Sequence, residues 1–340
     1  MKIIDSHIHL KNGILDSIIT LADRYNFDKF AMMALPCHYS LYNTLECLIL
    51  KRMAPDRAYV FGGMTYFPGV EPTAKDHEKQ LELMMDAGCD GWKILESKPS
   101  IYRKLQLPLD GEVFSRVFAM AERDGIPIKW HAGDPATFWD IEKAPPSAAE
   151  NGWLCVGEGF PSLEKIYSEV ENVMARHPRL NASLAHLYFI SDDMPHGERM
   201  LRTYENFTLD ITPGSEMYEA FLADREKWAG FFRRWQDKLI FGTDTYDWTT
   251  PDKYPPRDGT FDMIWKALAG SEQFEESGIS GVGLGLDEQI IEKIFAKNFE
   301  RVTGDTPRPL SESGLNAYAE WLLPKLPAED RRRAEALLNG

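Results

Sequence analysis

The sequence is short of cysteine, of positive charge and of long apolar runs, and each shortage removes a class of protein. Its four cysteines, Cys37, Cys47, Cys89 and Cys155, are scattered and form no Cys-x-x-Cys pair, so neither a disulfide scaffold nor a cysteine zinc ribbon is available. Lysine and arginine number 38 against 53 aspartates and glutamates, a formal charge of −15. That balance argues against nucleic acid and anionic membrane as partners, because both reward basic surfaces. No apolar stretch reaches membrane-spanning length, and Met1-Lys2-Ile3-Ile4-Asp5 shows neither the basic start nor the apolar core of a signal peptide. The expectation is a cytoplasmic protein. Gly-x-Gly-x-x-Gly and P-loop motifs are also missing, which takes away the usual phosphate cradle of an open doubly wound sheet.

What is present is an alternation of short β-rich runs with longer amphipathic segments. Strands are expected at Lys2 to His9, Lys29 to Leu35, Ala58 to Met64, Gly91 to Leu95, Ile126 to His131, Asn181 to His186, Asn206 to Ile211 and Lys238 to Asp244. Between them, Ala74 to Ala87, Gly111 to Asp124 and Ser162 to His177 carry apolar residues at three- and four-residue spacing, as helices packed on a sheet do. Eight such βα units within residues 1–305 predict a (β/α)8 barrel, with residues 306–340 as a helical appendage packed on it. The longest irregular stretch, Ala132 to Phe160, follows the fifth strand and has the length of a functional loop.

The strand ends carry the chemistry. His7 and His9 lie two apart, so a strand projects both imidazoles to one side. His131, His186 and Asp244 each end another expected strand. Barrel enzymes build their active sites from side chains at the carboxyl ends of several strands, and imidazole with carboxylate is a ligand set for a divalent metal. A hydrogen-bonded core residue accounts for any one of these positions, but not readily for all five.

In order and spacing, Asp-Ser-His-Ile-His at 5–9, Trp-His-Ala-Gly-Asp-Pro at 130–135, Ala-His at 185–186 and Phe-Gly-Thr-Asp at 241–244 resemble the amidohydrolase superfamily. The likeness is to its amidohydrolase-2 branch, which includes the aminocarboxymuconate-semialdehyde decarboxylase-like enzymes, and it spans roughly residues 1 to 305. The resemblance implies that His7, His9, His131 and Asp244 bind metal, with His186 and Lys93 as further candidates. Zinc is the expected ion, manganese or iron(II) the alternatives, and one ion is expected rather than two. Lys93, in Gly-Trp-Lys-Ile-Leu, stands where two-metal members place a carboxylated bridging lysine. Its other readings are a substrate anion site or an ion pair with Glu96.

A divalent ion lowers the pKa of bound water to about 7 and so supplies a nucleophile. Asp244 is then expected to move the water's proton, and His186 to polarise the attacked carbonyl or stabilise the oxyanion. These two are the expected catalytic residues. Substrate contacts are expected from Lys93, Trp139, Tyr246 and Glu216, with Phe138, Trp153, Tyr188, Phe189 and Trp248 as further rim aromatics. Lys98, Arg103 and Lys104 form either a carboxylate site or a solvated face. Asp134 and Asp5 are placed to orient a ligand histidine, Glu158 is expected to be exposed, and His38, His77, His177 and His196 read as surface histidines.

The leading expectation is therefore a metal-dependent hydrolase of a small amide, ester or lactone, with a homodimer as the oligomer to test for. A nonoxidative decarboxylase on the same barrel is the alternative, and a catalytically silent metal-binding barrel is another. Decarboxylase-like members often carry Tyr-Pro after the eighth-strand aspartate, whereas this chain has Thr245-Tyr246-Asp247-Trp248, which favours hydrolysis.

Overall fold

The computed structural model describes residues 1–214, 216–247 and 258–339. Its main sheet contains nine strands: β1 (Ile4–His9), β2 (Lys29–Met33), β3 (Ala58–Gly63), β4 (Gly91–Ile94), β5 (Ile128–Trp130), β6 (Ala182–Leu184), β7 (Phe207–Asp210), β8 (Leu239–Ile240) and β9 (Thr245–Tyr246). Sequential strands are spatial neighbours from β1 to β8, β9 lies on the free side of β1, and every pairing is parallel. β8 and β9 are the two halves of one eighth strand. The residues between them close the ring, since Ser6 N–H donates to the Phe241 carbonyl at 3.2 Å and Asp244 N–H to the His7 carbonyl at 2.9 Å. The fold is a (β/α)8 barrel.

The break in the eighth strand has a steric cause. A Cβ on Gly242 would lie 2.5 Å from Thr212 Oγ1 and 2.7 Å from His7 Cβ, so only glycine lets this strand approach β1 and β7 so closely. Two residues later Asp244 takes φ of +57°, a left-handed conformation rare for a residue with a side chain and frequent at functional sites. β1 also departs from regularity, with a register shift between Asp5 and Ile8 that falls on Ser6 and His7.

The helices follow their sequence signals. Ala74–Ala87 begins with a capping box, Thr73 Oγ1 accepting from Asp76 N–H while the Asp76 carboxylate accepts from Thr73 N–H, and ends at Gly88 with φ of +104°. Leu163–Arg176 is capped by Ser162 and buries Ile166, Val170, Val173 and Met174, the three- and four-residue stripe that drives it onto the sheet. Aromatic side chains fill the layer between: Phe118 packs on both Trp92 and Trp130, and Phe241 stacks on Phe295 with centroids 4.3 Å apart. A smaller apolar cluster joins Ile4, Ala31, Tyr59, Phe61 and Ile240 to Phe299.

Two features differ from expectation. His77 and His196, expected on the surface, are buried; His77 sits on the inward stripe of its helix with Leu81 and Met84. An antiparallel hairpin, β10 (Gln273–Glu276) and β11 (Ile279–Val282), follows the eighth strand, and its turn residues Ser277 and Gly278 both take positive φ. Trp248 lies outside the described residues. After the barrel, Glu312–Leu322 packs on Ala74–Ala87, and Ala328–Asn339 packs on Asn43–Met53. Among the described residues no helix is long and apolar enough to cross a membrane.

Candidate metal centre

Each histidine of the cluster is aimed by the partner of its Nδ1. His9 Nδ1–H donates to the carbonyl of Met33, at the end of the neighbouring strand, at 3.0 Å. His7 Nδ1–H donates to Asp210 Oδ2, at the end of β7, at 2.7 Å. A carbonyl or carboxylate oxygen only accepts, so both rings carry the proton on Nδ1 and, when neutral, present a lone pair on Nε2. These are the second partners that metal-binding histidines use to fix ring orientation.

Both Nε2 atoms face Asp244. His9 Nε2 is 3.0 Å from Asp244 Oδ1 and His7 Nε2 is 3.7 Å from it. One donor atom from each of His7, His9 and Asp244 falls within 4.8 Å of the others. Between a neutral His9 and the carboxylate, two acceptors face each other. Either a doubly protonated imidazole or a cation shared by both satisfies that contact, and a divalent ion fits the donor chemistry. Burial alone would raise the Asp244 pKa, yet His9, His186 and His7 around it hold the carboxyl well below its usual range. Burial, reinforced by Lys93, pushes the His7 pKa well down. Asp244 is therefore an anion and His7 a neutral imidazole at pH 7.

Lys93 Nζ lies 3.1 Å from His7 Nε2, and burial lowers its pKa to about 8. The structure forms no Lys93–Glu96 ion pair; the Glu96 carboxylate accepts instead from Tyr66 OH and Leu95 N–H, both at 2.8 Å. Below the cluster Asp210 accepts from Lys129 Nζ at 3.0 Å as well as from His7, and Lys129 also donates to Ser6 Oγ at 2.9 Å. Lys129, His7 and Thr212 outweigh burial and hold Asp210 well below the carboxylate range. Asp5 accepts from Thr243 Oγ1 at 2.6 Å and from the His7 and Thr243 amides, bracing β1 against the eighth strand.

His131 and His186 stand beside the cluster, with ring centroids 4.8 Å apart, and His186 is 5.9 Å from His7. His131 is not among the residues whose donor atoms meet. Its Nε2–H donates to Asp134 Oδ1 at 3.1 Å, and Lys98 Nζ donates to the same oxygen at 2.7 Å. Burial, then Lys98, lowers the His131 pKa to about 3. His186 Nδ1–H donates to the Pro213 carbonyl at 3.2 Å, which leaves Nε2 as an acceptor. His186, Leu187, Tyr188 and Phe189 all have φ of +52° to +55°, one left-handed turn where side-chain-bearing residues ordinarily cost about 1–2 kcal/mol each. Tyr167 OH holds this turn through the Tyr188 carbonyl at 3.2 Å.

The cluster opens into a cavity of about 510 Å³. Lys98, His131, Phe138, Trp153, His186, Phe189 and Asp244 line it, with Thr260, Met263 and the hairpin residues Ser277 and Ile279 on the far wall. All four of the expected substrate contacts lie outside this lining, Lys93 being buried against His7. Trp139 donates its indole N–H to Pro161, Tyr246 lies under Lys11, and Glu216 accepts from Ser191 at 2.9 Å. Glu158 is exposed and Tyr188 is buried beneath the wall. Asp210 and Lys129 were not singled out from the sequence, although Asp210 carries the same signal as the others, a polar residue at the end of an expected strand.

A family model described as amidohydrolase matches residues 42–303. No curated protein matches the chain. Among solved structures, a probable 2-pyrone-4,6-dicarboxylic acid hydrolase from Acinetobacter baumannii, with citric acid bound, superposes with a TM-score of 0.52 at 13% identity, over 89% of this chain and 100% of that one. The 4-oxalomesaconate hydratase of Rhodopseudomonas palustris gives 0.54 at 12% identity, over 94% and 98%. At such identities the two structures bear on the fold alone.

Proposed function

Because the chain belongs to the amidohydrolase family, we propose that it is a metal-dependent hydrolase of a small carbonyl-containing molecule, an amide, ester or lactone. The observation that carries this is the His9–Asp244 contact. His9 Nε2 and Asp244 Oδ1 are held 3.0 Å apart, with His7 as a third ligand atom beside them, at a cavity large enough for a small molecule.

His7, His9 and Asp244 would hold one divalent ion, zinc in the first instance. Such an ion supplies a Lewis acid and an acidified water at neutral pH. Asp244 stays ionised, so its carboxylate takes the proton of the attacking water and returns it to the leaving group. His186 is kept neutral by burial and, with its proton fixed on Nδ1, offers Nε2 as a proton acceptor. Polarising the substrate carbonyl would require the opposite tautomer, so the base role is the one its geometry supports. Phe138, Trp153 and Phe189 line the cavity and present flat apolar faces to a substrate.

The test is a panel of simple amides, esters and lactones offered to zinc-loaded protein, reading acid release by pH-stat and carbon dioxide by headspace analysis. Acid release without carbon dioxide, lost in His9→Ala together with the bound metal, is expected. Carbon dioxide release from a carboxylic acid would make the protein a carboxy-lyase instead. Full metal content in His9→Ala would remove the proposed site.

A further inference from the structure

Beside the cavity already described lies a second cleft of about 470 Å³. The two share Lys98 and Trp153 as a common wall. Past that wall the lining includes Arg103, Lys104, His38 and Phe160, and among the described residues no aspartate or glutamate lines the cleft. In a chain with 53 acidic and 38 basic side chains this reverses the general balance. The segment that supplies the cations, residues 97–109, contains no acidic residue at all.

Lys98 is paired with Asp134, but the other two cations are held without being neutralised. Among the described residues Arg103 and Lys104 form no ion pair, whereas Arg52, Arg57, Arg116 and Arg199 each do. The Arg103 guanidinium lies over the Phe160 ring at 4.7 Å, and Lys98 Nζ over Trp153 at 5.8 Å. An aromatic face positions a cation but leaves its charge available to a ligand. Desolvation in the cleft, then Lys104 and Lys98, lowers the His38 pKa to about 4, so His38 is neutral at pH 7. A concave, one-sign site concentrates the opposite charge, and a guanidinium fork matches a carboxylate through two parallel hydrogen bonds.

We propose that this cleft is a carboxylate subsite, in which Arg103 and Lys104 bind an anionic end of the substrate whose flat body lies along Trp153. The substrate class is a small aromatic or unsaturated acid that also carries the hydrolysed amide, ester or lactone. The second half of that statement rests on the hydrolase reading, whereas carboxylate binding does not. Contacts remote from the reacting bond would position it at the cluster.

The experiment is calorimetric titration of the whole protein with benzoate at low ionic strength. Saturable binding is expected, weakened at least tenfold in the Arg103→Ala/Lys104→Ala double variant, partly retained in Arg103→Lys, and not reproduced by neutral benzamide. His9→Ala is expected to bind benzoate as the parent does, which separates this result from any failure of the hydrolase reading. Equal affinity in the parent and the double variant overturns the proposal, as does equal binding of benzamide. Loss of benzoate binding in His9→Ala with retention in the double variant places the carboxylate at the histidine cluster and also overturns it. Inorganic phosphate binding more tightly than benzoate overturns the carboxylate assignment in favour of a phosphate group.

Discussion

Asp210 and Lys129 form a buried pair beneath the histidine cluster, and replacing Asp210 by asparagine tests whether that pair is what holds His7. Both side chains are at most 2% exposed, and their charged atoms are 3.0 Å apart. In Asp210→Asn, Lys129 loses its hydrogen-bonded carboxylate in the barrel interior and is expected to fold in its neutral form, because a buried ammonium without a directly paired carboxylate is far costlier. Giving up the proton at pH 8 from an ordinary lysine pKa of about 10.4 costs about 3 kcal/mol, at about 1.4 kcal/mol per pH unit. The variant is therefore expected to lose about 3 kcal/mol at pH 8 and about 2 kcal/mol at pH 9, the deficit shrinking with pH as the unfolded chain also releases its proton. Lys129→Met in the same chain removes the orphaned amine, so the double variant should recover about 2 kcal/mol of the loss, a coupling well outside the scatter of independent sites. Urea unfolding of chelator-treated protein measures all four members of the cycle without interference from metal. A single-variant cost below about 1 kcal/mol that does not change with pH, or additive singles, would refute the argument. Metal competition on the same proteins adds a second readout, with affinity in Asp210→Asn expected to drop about 10- to 100-fold through the misaimed His7 ring.

Three shorter predictions follow from other parts of the molecule. Gly242→Ala places a methyl 2.7 Å from His7 Cβ and 2.5 Å from Thr212 Oγ1; it should cost about 1–3 kcal/mol and weaken zinc binding at least about tenfold, read by competition with a chromophoric chelator, whereas unchanged affinity would mean that this contact does not position His7. His77 is buried, its Nδ1 bonded to the Val113 carbonyl, and burial lowers its pKa to about 4. Its stabilising share is thus complete above pH 6.5 and lost as pH falls toward 4, by about 3 kcal/mol at about 1.4 kcal/mol per pH unit. His77→Phe should flatten that acid limb of the urea stability profile; an identical limb would contradict the assignment. Zinc held at 100 times its dissociation constant adds about 2.7 kcal/mol to the folded state, which for a chain of 340 residues is about 4 °C in melting temperature; scanning calorimetry with and without chelator should show that difference, and none in His9→Ala.

The barrel was legible because its signals are local and repeat. Each strand is an apolar run, each helix an apolar stripe with a cap, and Ala74–Ala87 begins and ends where Thr73 and Gly88 say it should. Seven of the eight strands were read one to three residues too long in all, as with Ile126 to His131 against Ile128–Trp130, because the residues just past a strand are extended but no longer paired. The hairpin Gln273–Val282 escaped notice, although Ser277-Gly278 is a turn signal between two short runs. His77 was misplaced for a different reason. Its spacing of four and seven from Leu81 and Met84 marks the buried stripe, but histidine is a residue that composition alone assigns to the surface.

The site was legible in its residue types but not in its aim. A strand end says that a side chain points toward the barrel mouth and nothing about which nitrogen of an imidazole carries the proton. For His9 that is decided by the Met33 carbonyl, and for His7 by Asp210, groups 24 and 203 residues away in the chain. His131 shows the consequence. Sequence places it with the ligands, yet its Nε2–H is engaged by Asp134 through an arrangement that depends on Lys98 from the preceding loop. Lys98, the partner of that carboxylate, joins the metal-side cavity to the basic cleft, since it lines both. An anion arriving at Lys98 would compete with Asp134 for that ammonium and weaken its hold on His131. Occupancy of the basic cleft and the orientation of His131 are then linked, and such a link must act equally in both directions. Asp134→Asn, which withdraws the competing charge, should therefore bind benzoate more tightly than the parent protein, and unchanged affinity would show that the two cavities act independently.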